Sequence, residues 1–317
     1  LWYRGNVSCS RVTEEHRLAK TLESIGADRV VIGHTPTRGR QILERFGGRV
    51  IEVDTGMLSS YYAGSGNALV VEGNDLSVVT EQGEQIADPI DHPRRVGYRA
   101  DELDDERLEE LLQHGEIVSS TEAEIYSTNR TLLEMSDGEM TVAAVFVKRR
   151  SRWNNPELAA YRLDRFLELD MIPVTVERPL GKTAGSMQFL PRNISNEKAR
   201  TETGRGGGAW CPLDDQWKAM YVFDALIYNA ARTQTRMLYN LENWQLMLTG
   251  HDRAFETSQN RPPHLASAPI DVTPGWHEKL KALDAATIDE MFGDVLDRSR
   301  RRALLARRDE LMSGGLR

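Results

Sequence analysis

The stretch TVAAVFVKRRSRWNNPELAAYRLDRFLEL, residues 141–169, decides how the larger part of this chain folds. Its opening run, residues 141–148, is made of β-branched, aromatic and small apolar side chains and reads as a buried strand ending at Lys148. Asn155-Pro156-Glu157 then opens a helix. Asn suits the cap, Pro the first turn, and Glu the positive end of the helix dipole. Leu158, Tyr161, Leu163, Phe166 and Leu167 continue that helix. Upstream, segments around 116–120 and 131–135, followed by Asp137-Gly138, read as strands of a β-meander feeding the helix. Downstream, residues 174–177 and 186–190 read as two further strands. Residues 192–208, rich in Gly, Asn, Arg and Thr, read as a mobile loop. Beyond Leu213 the chain reads as mainly helical, with one strand-like interruption at 244–248. Strands first and helices later indicate an α+β domain.

The first part of the chain has a different pattern. Leu18, Leu22 and Ile25 recur at helical spacing over residues 13–26, with Thr13 as cap and Gly26 as stop. Val30-Val31-Ile32 precedes Gly33-His34, and residues 50–53 precede Asp54-Thr55-Gly56; each reads as a buried strand delivering a polar loop. Residues 67–72 and 75–80 around Gly73-Asn74 read as a hairpin. A β-rich unit therefore occupies residues 1–85. A linker and connecting helix over 86–114 carries Pro89 and Pro93, then Leu103, Leu108, Leu111 and Leu112 on one helical face. The second domain spans 115–317.

A net charge of −8 and a pI near 5.5 oppose nonspecific nucleic-acid binding, which needs a basic surface to displace counterions. No CxxC pair suggests structural zinc. No apolar run approaches the roughly 20 residues that span a bilayer, so neither membrane nor, on the charge argument, nucleic acid is expected as a partner; with only Cys9 and Cys211, far apart in sequence, a reducing cytoplasm is the expected location. The chain opens on Leu1 and reads as a piece of a longer protein.

Dinuclear phosphoesterases place His and carboxylate ligands at the ends of buried strands, where two metal ions activate water and clamp a phosphate. On residue chemistry alone, His34 is either such a ligand or a hydrogen-bonded structural histidine. Leu1-Trp2-Tyr3-Arg4-Gly5, Val31-Ile32-Gly33-His34-Thr35-Pro36 and Ile51-Glu52-Val53-Asp54-Thr55-Gly56-Met57 occur in an order that resembles calcineurin-like metallophosphoesterases, especially the bacterial and Shewanella-like protein phosphatase branch. The resemblance covers about residues 1–85 and implies the C-terminal portion of a metallophosphoesterase β-sandwich. It further implies that His34 binds one metal of a Mn, Fe or Zn pair, that Arg4 lies on the phosphate side, and that the substrate is a phosphorylated protein or small molecule. Asp54 reads as a turn cap. The DxH, GDxxDRG and GNHE runs of that family are absent from the chain, so a complete dinuclear centre is not expected within it.

Phosphoryl transfer from ATP needs a Lys on the phosphates, a Glu to orient it, a catalytic carboxylate and a metal-binding carboxylate. Lys148 and Glu157 are placed for the first two roles; their plain alternatives are a solvated strand-end Lys and a Glu drawn by the helix dipole. Phe146-Val147-Lys148, the helix start at Pro156-Glu157, Val174-Thr175-Val176-Glu177-Arg178-Pro179, Gly185-Ser186-Met187-Gln188-Phe189 and His251-Asp252-Arg253-Ala254-Phe255 follow an order that resembles atypical kinases of the HipA-like and phosphatidylinositol-kinase-like groups. That resemblance implies a bilobal kinase-like α+β domain over roughly residues 115–312. Lys148 would contact ATP phosphates, Glu157 would pair with it, Ser119 and Ser120 would lie in the phosphate-covering loop, and Asp252 would hold Mg²⁺. The chain departs from the pattern at the catalytic segment, where Ala231 stands at the expected Asp and Arg236 follows where an Asn is expected; further on, either Asp252 has taken over the metal role from a neighbouring position or Gly250 marks a lost ligand. Three readings stay open: a phosphatase fragment joined to a nucleotide-binding kinase-like domain, an ATP-binding pseudokinase or divergent phosphotransferase beside a structural remnant, and a purely structural module. Residues 294–312, with Arg298, Arg300, Arg301, Arg302, Arg307 and Arg308, read as a basic helix that either docks an acidic partner or is solvated.

Overall fold

A computed structural model describes residues 3–81, 83, 85–86, 90–91, 105–125 and 127–314. Most of the linker expected over 86–100, and Leu103 of the connecting helix, lie outside the described residues. The architecture is mixed α and β, in two compact units, Leu1–Arg95 and Val96–Arg317.

In the first unit, helix Arg11–Ile25 starts at Ser10. Thr13 is not its cap: the Thr13 hydroxyl sits inside the first turn and donates to the Ser10 carbonyl at 2.9 Å. The helix stops at Gly26, whose φ of 67° is cheap only without a Cβ. Leu18 and Leu22 pack against Phe46 and Val50. Strand Val30–Ile32 runs parallel to Val50–Glu52, which pairs antiparallel with Leu43–Arg45, itself parallel to Ile90–Asp91. Asn67–Glu72 and Asp75–Thr80 form the expected hairpin, with Glu72 opposite Asp75 across Gly73-Asn74. Ile42, Ile51 and Val78 make a second small core.

The second unit is built around a five-stranded antiparallel sheet. Its spatial order is Glu116–Ile125, Thr128–Ser136, Thr141–Lys148, Gly185–Leu190, Thr175–Glu177. Helix Pro156–Leu167 links the third strand to the edge strand Thr175–Glu177 and buries Leu158, Ala159, Ala160, Leu163 and Leu167. Helix Asp105–His114 buries Leu108, Leu111 and Leu112, and Arg178 donates to the Leu112 and Gly115 carbonyls at 2.9 Å, satisfying the end of that helix.

The remainder is mainly helical. Helix Leu213–Ile227 packs on the last strand of a small sheet of Ile194–Asn196, Met237–Asn240 and Leu246–Leu248, and helix Arg298–Ser313 packs on Leu213–Ile227, Pro274–Ala282 and Ala285–Phe292. The 192–208 segment is not an irregular loop: it supplies strand Ile194–Asn196 and helix Glu197–Thr203, capped by the Asn196 side chain accepting from the Ala199 amide at 2.9 Å. The basic terminal helix is not uniformly solvated. Arg307 is fully buried and donates to the carbonyls of Leu226, Glu256 and Ser258 at 2.7, 2.9 and 2.6 Å. Burial pulls its guanidinium down to about 10. No described helix is long and apolar enough to cross a membrane.

Candidate functional site

The densest set of buried charges in the second unit begins at Asp224, near the end of helix Leu213–Ile227. Arg232 grips it through two bonds, Nε to Oδ2 at 2.9 Å and Nη2 to Oδ1 at 2.8 Å. Asn229 donates to Oδ1 at 3.1 Å, and His264 Nε2 lies 3.2 Å from Oδ2. Burial alone would raise the Asp224 carboxyl, but the Arg232 guanidinium overrides it and holds Asp224 well below the usual carboxylate range. Arg232 also donates to the carbonyls of Thr249 at 2.9 Å and Arg236 at 3.2 Å.

The chain of contacts runs on to the helix behind the sheet. Arg232 Nη2 lies 3.1 Å from His251 Nε2, so this ring nitrogen accepts. The other nitrogen, Nδ1, then carries the hydrogen and donates to Glu157 Oε2 at 3.3 Å. Burial lowers the His251 pKa, against the raising effect of Glu157, which keeps the ring neutral and fits this tautomer. Glu157 Oε1 is buried and has no hydrogen-bond partner among the described residues.

Beside this network, Arg236 lies across Gly250. Its Nη1 donates to the Gly250 carbonyl at 2.9 Å and to Asp252 Oδ1 at 3.1 Å. A Cβ at Gly250 would stand 2.7 Å from Arg236 Cδ, so the arginine occupies the space a side chain there would need. Asp252 Oδ2 is held by Arg130 Nη2 at 3.2 Å, from strand Thr128–Ser136. Burial raises the Asp252 carboxyl; Arg130 and Arg236 more than offset this, and the group sits below its ordinary value. At the turn of the first hairpin, the Ser127 hydroxyl donates to Thr235 Oγ1 at 3.2 Å. The hairpin and the segment after Ala231 are thus tied by a hydroxyl pair and a two-arginine, one-carboxylate cluster.

Several residues singled out from sequence take other places. Glu157 does not pair with Lys148; its carboxylate goes to His251. Lys148 is exposed. The reason is the pairing register. Phe146 stands opposite Thr131, so Phe146, Lys148 and Thr131 share one face of the sheet, whereas Arg130, one residue from Thr131, is on the face that reaches Asp252. Ser119 and Ser120 lie within strand Glu116–Ile125 rather than in the hairpin turn, and Ser119 donates to Glu134 at 3.0 Å. Asp252 is engaged by two arginines. A Mg²⁺ ion does not fit this set: Ala231 and Gly250 carry no side-chain oxygen, and the one carboxylate is already bound between two cations.

In the first unit, the Arg4 carbonyl caps helix Gly5–Ser8, accepting from Val7 and Ser8 at 3.0 and 2.9 Å. His34 follows strand Val30–Ile32 with a left-handed φ of 62° and is exposed. Asp54 accepts from the Gly56 amide at 3.0 Å and closes the turn. Among the described residues, no three His, Cys, Asp or Glu side chains are grouped so as to hold a metal ion.

No protein-family model matches the chain, and no curated protein matches it. Among solved structures, the chain is similar to a Helicobacter pylori proinflammatory kinase, CtkA, with a TM-score of 0.39 and 11% identity over 64% of this chain and 93% of that one. It is also similar to the complete CtTel1 dimer with C2 symmetry, at a TM-score of 0.38 and 12% identity over 62% of this chain and 12% of that one. At these values neither likeness decides the fold. Nothing in these comparisons supports a metallophosphoesterase part in residues 1–85.

Asp224, Arg130 and His264 were not singled out from sequence. Asp224 sits in an apolar helical stretch, Val222-Phe223-Asp224-Ala225-Leu226. A lone carboxylate on such a face signals a buried partner, because an unpaired charge there costs several kcal/mol or so.

Proposed function

We propose that residues 105–314 form a kinase-like domain that binds a nucleotide and has given up metal-dependent phosphoryl transfer. The sheet order supports this reading: a hairpin, a third strand, a helix carrying a buried Glu157, and two more strands precede a mainly helical half. The observation that carries it is Arg236, whose guanidinium lies over Gly250 and binds Asp252. An arginine in that place supplies a fixed positive charge but no site for a metal and no base for a substrate hydroxyl. Ala231 likewise cannot accept a proton. Phosphoesterase activity is not part of the proposal, since the described residues of the first unit bring no set of metal ligands together.

The test is a thermal-shift titration with ATP beside a transfer assay using labelled ATP and Mg²⁺. A ligand at 100 times its dissociation constant adds about 2.7 kcal/mol of stability, so a rise in melting temperature with ATP and no labelled product is expected. Labelled product above background would overturn the loss of transfer. An unchanged melting temperature at saturating ATP would overturn nucleotide binding.

A further inference from the structure

Arg236 is only 6% exposed, and its hydrogen bonds to Gly250 and Asp252 both come from Nη1. Arg130 uses Nε on Thr128 Oγ1 at 3.1 Å and Nη2 on Asp252. The Nε and Nη2 of Arg236, and Nη1 of Arg130, have no hydrogen-bond partner among the described residues. Two permanent cations therefore share one carboxylate, with Arg253 adding a third positive influence on it. Ser127, Thr233 and Thr235 place hydroxyls beside them, Ser127 to Thr235 at 3.2 Å and Thr233 to Thr235 at 3.1 Å. Surplus charge, fork-shaped donors left over and neighbouring hydroxyls are the chemistry that recognises a phosphate.

We infer that Arg236 and Arg130 form a metal-independent site for the phosphates of a nucleotide, with Asp252 as the internal anion that the ligand displaces. The inference rests on the kinase-like reading and specifies how its ligand is held. No divalent ion is required, because the guanidinium of Arg236 supplies the charge that would otherwise come from a metal. In the absence of ligand the Asp252 carboxylate holds Nη1 of Arg236 and Nη2 of Arg130 and neutralises part of their charge, so it competes with the phosphate for the same two guanidinium groups and keeps the hairpin tied down. Binding exchanges one anion for another of higher charge at the same two arginines.

The experiment measures binding of inorganic triphosphate, ATP and adenosine to the purified chain in excess EDTA. Triphosphate and ATP should bind under these conditions. Arg236→Ala and Arg130→Ala should each weaken both by about tenfold or more, the effect of losing a charge-assisted hydrogen bond. Asp252→Asn preserves shape and removes the competitor, so it should tighten triphosphate binding; a purely structural ion pair predicts no gain. ATP binding that needs Mg²⁺ and ignores Arg236→Ala would overturn this inference and leave the nucleotide reading standing. Triphosphate binding with no advantage for ATP would do the reverse. Loss of triphosphate affinity in Asp252→Asn, or no binding of either ligand to the wild-type chain, would also overturn the inference.

Discussion

Arg232 clamps Asp224 through two side-by-side hydrogen bonds, 2.9 and 2.8 Å long, with both side chains buried. The same guanidinium reaches the Thr249 and Arg236 carbonyls and His251, so it joins the end of helix Leu213–Ile227 to both segments that follow. Removing one partner leaves the other charge buried and alone, a loss of about 3–5 kcal/mol. Arg232→Ala is expected to lower the urea unfolding free energy by that amount. A loss below about 1 kcal/mol would mean that water or Asn229 compensates for the missing guanidinium.

Acid should unfold the second unit through the same pair. The folded Asp224 carboxyl is held below its unfolded value, so its stabilisation is complete above about pH 4 and is lost as the pH falls toward the folded value. Urea midpoints measured from pH 5 downward should fall steeply for the wild type. Asp224→Asn should start from lower stability and show a shallower decline.

His251 acts in a higher window. Its folded pKa lies below the unfolded one, so the unfolded chain binds the extra proton first, and the neutral ring contributes fully only above about pH 6.5. Stability should decline as the pH falls below that value toward the folded pKa. His251→Gln should flatten the profile between about pH 5 and 7. An unchanged slope in that variant would assign the decline to another group.

Gly250 and Arg236 should be energetically coupled. Gly250→Asp places a Cβ 2.7 Å from Arg236 Cδ and forces a side chain onto a φ of 70°, a combined cost of about 2–4 kcal/mol. Arg236→Asn removes the clash but not the backbone strain. In a double-mutant cycle by denaturant unfolding, the double variant should therefore be more stable than the sum of the singles by about 1–2 kcal/mol. Additivity would show that Arg236 simply swings away.

Local pattern carried most of the secondary structure. The apolar run of Thr141–Lys148, the Asn-Pro-Glu start of Pro156–Leu167 and the Gly73-Asn74 turn all speak through near neighbours, and the structure has them where the sequence places them. Residues 192–208 misled because they are rich in Gly, Asn, Arg and Thr, while the strand Ile194–Asn196 is stabilised by pairing with Met237–Asn240 far along the chain. Arg307 looked like one more surface charge for a similar reason: the three carbonyls that receive it belong to two other segments.

The sequence by itself determined the α+β class of the second unit and the absence of side-chain oxygens at Ala231 and Gly250. Residue identity and short-range periodicity are enough for both. Only the tertiary structure decided which charges meet. Glu157 finds His251 across 94 positions, Asp252 is shared by Arg130 and Arg236, and Lys148 is turned away by the sheet register that sets Phe146 opposite Thr131. An ion pair depends on where two distant segments are brought together and on how much water is excluded between them, and neither quantity is written in the local sequence around either partner.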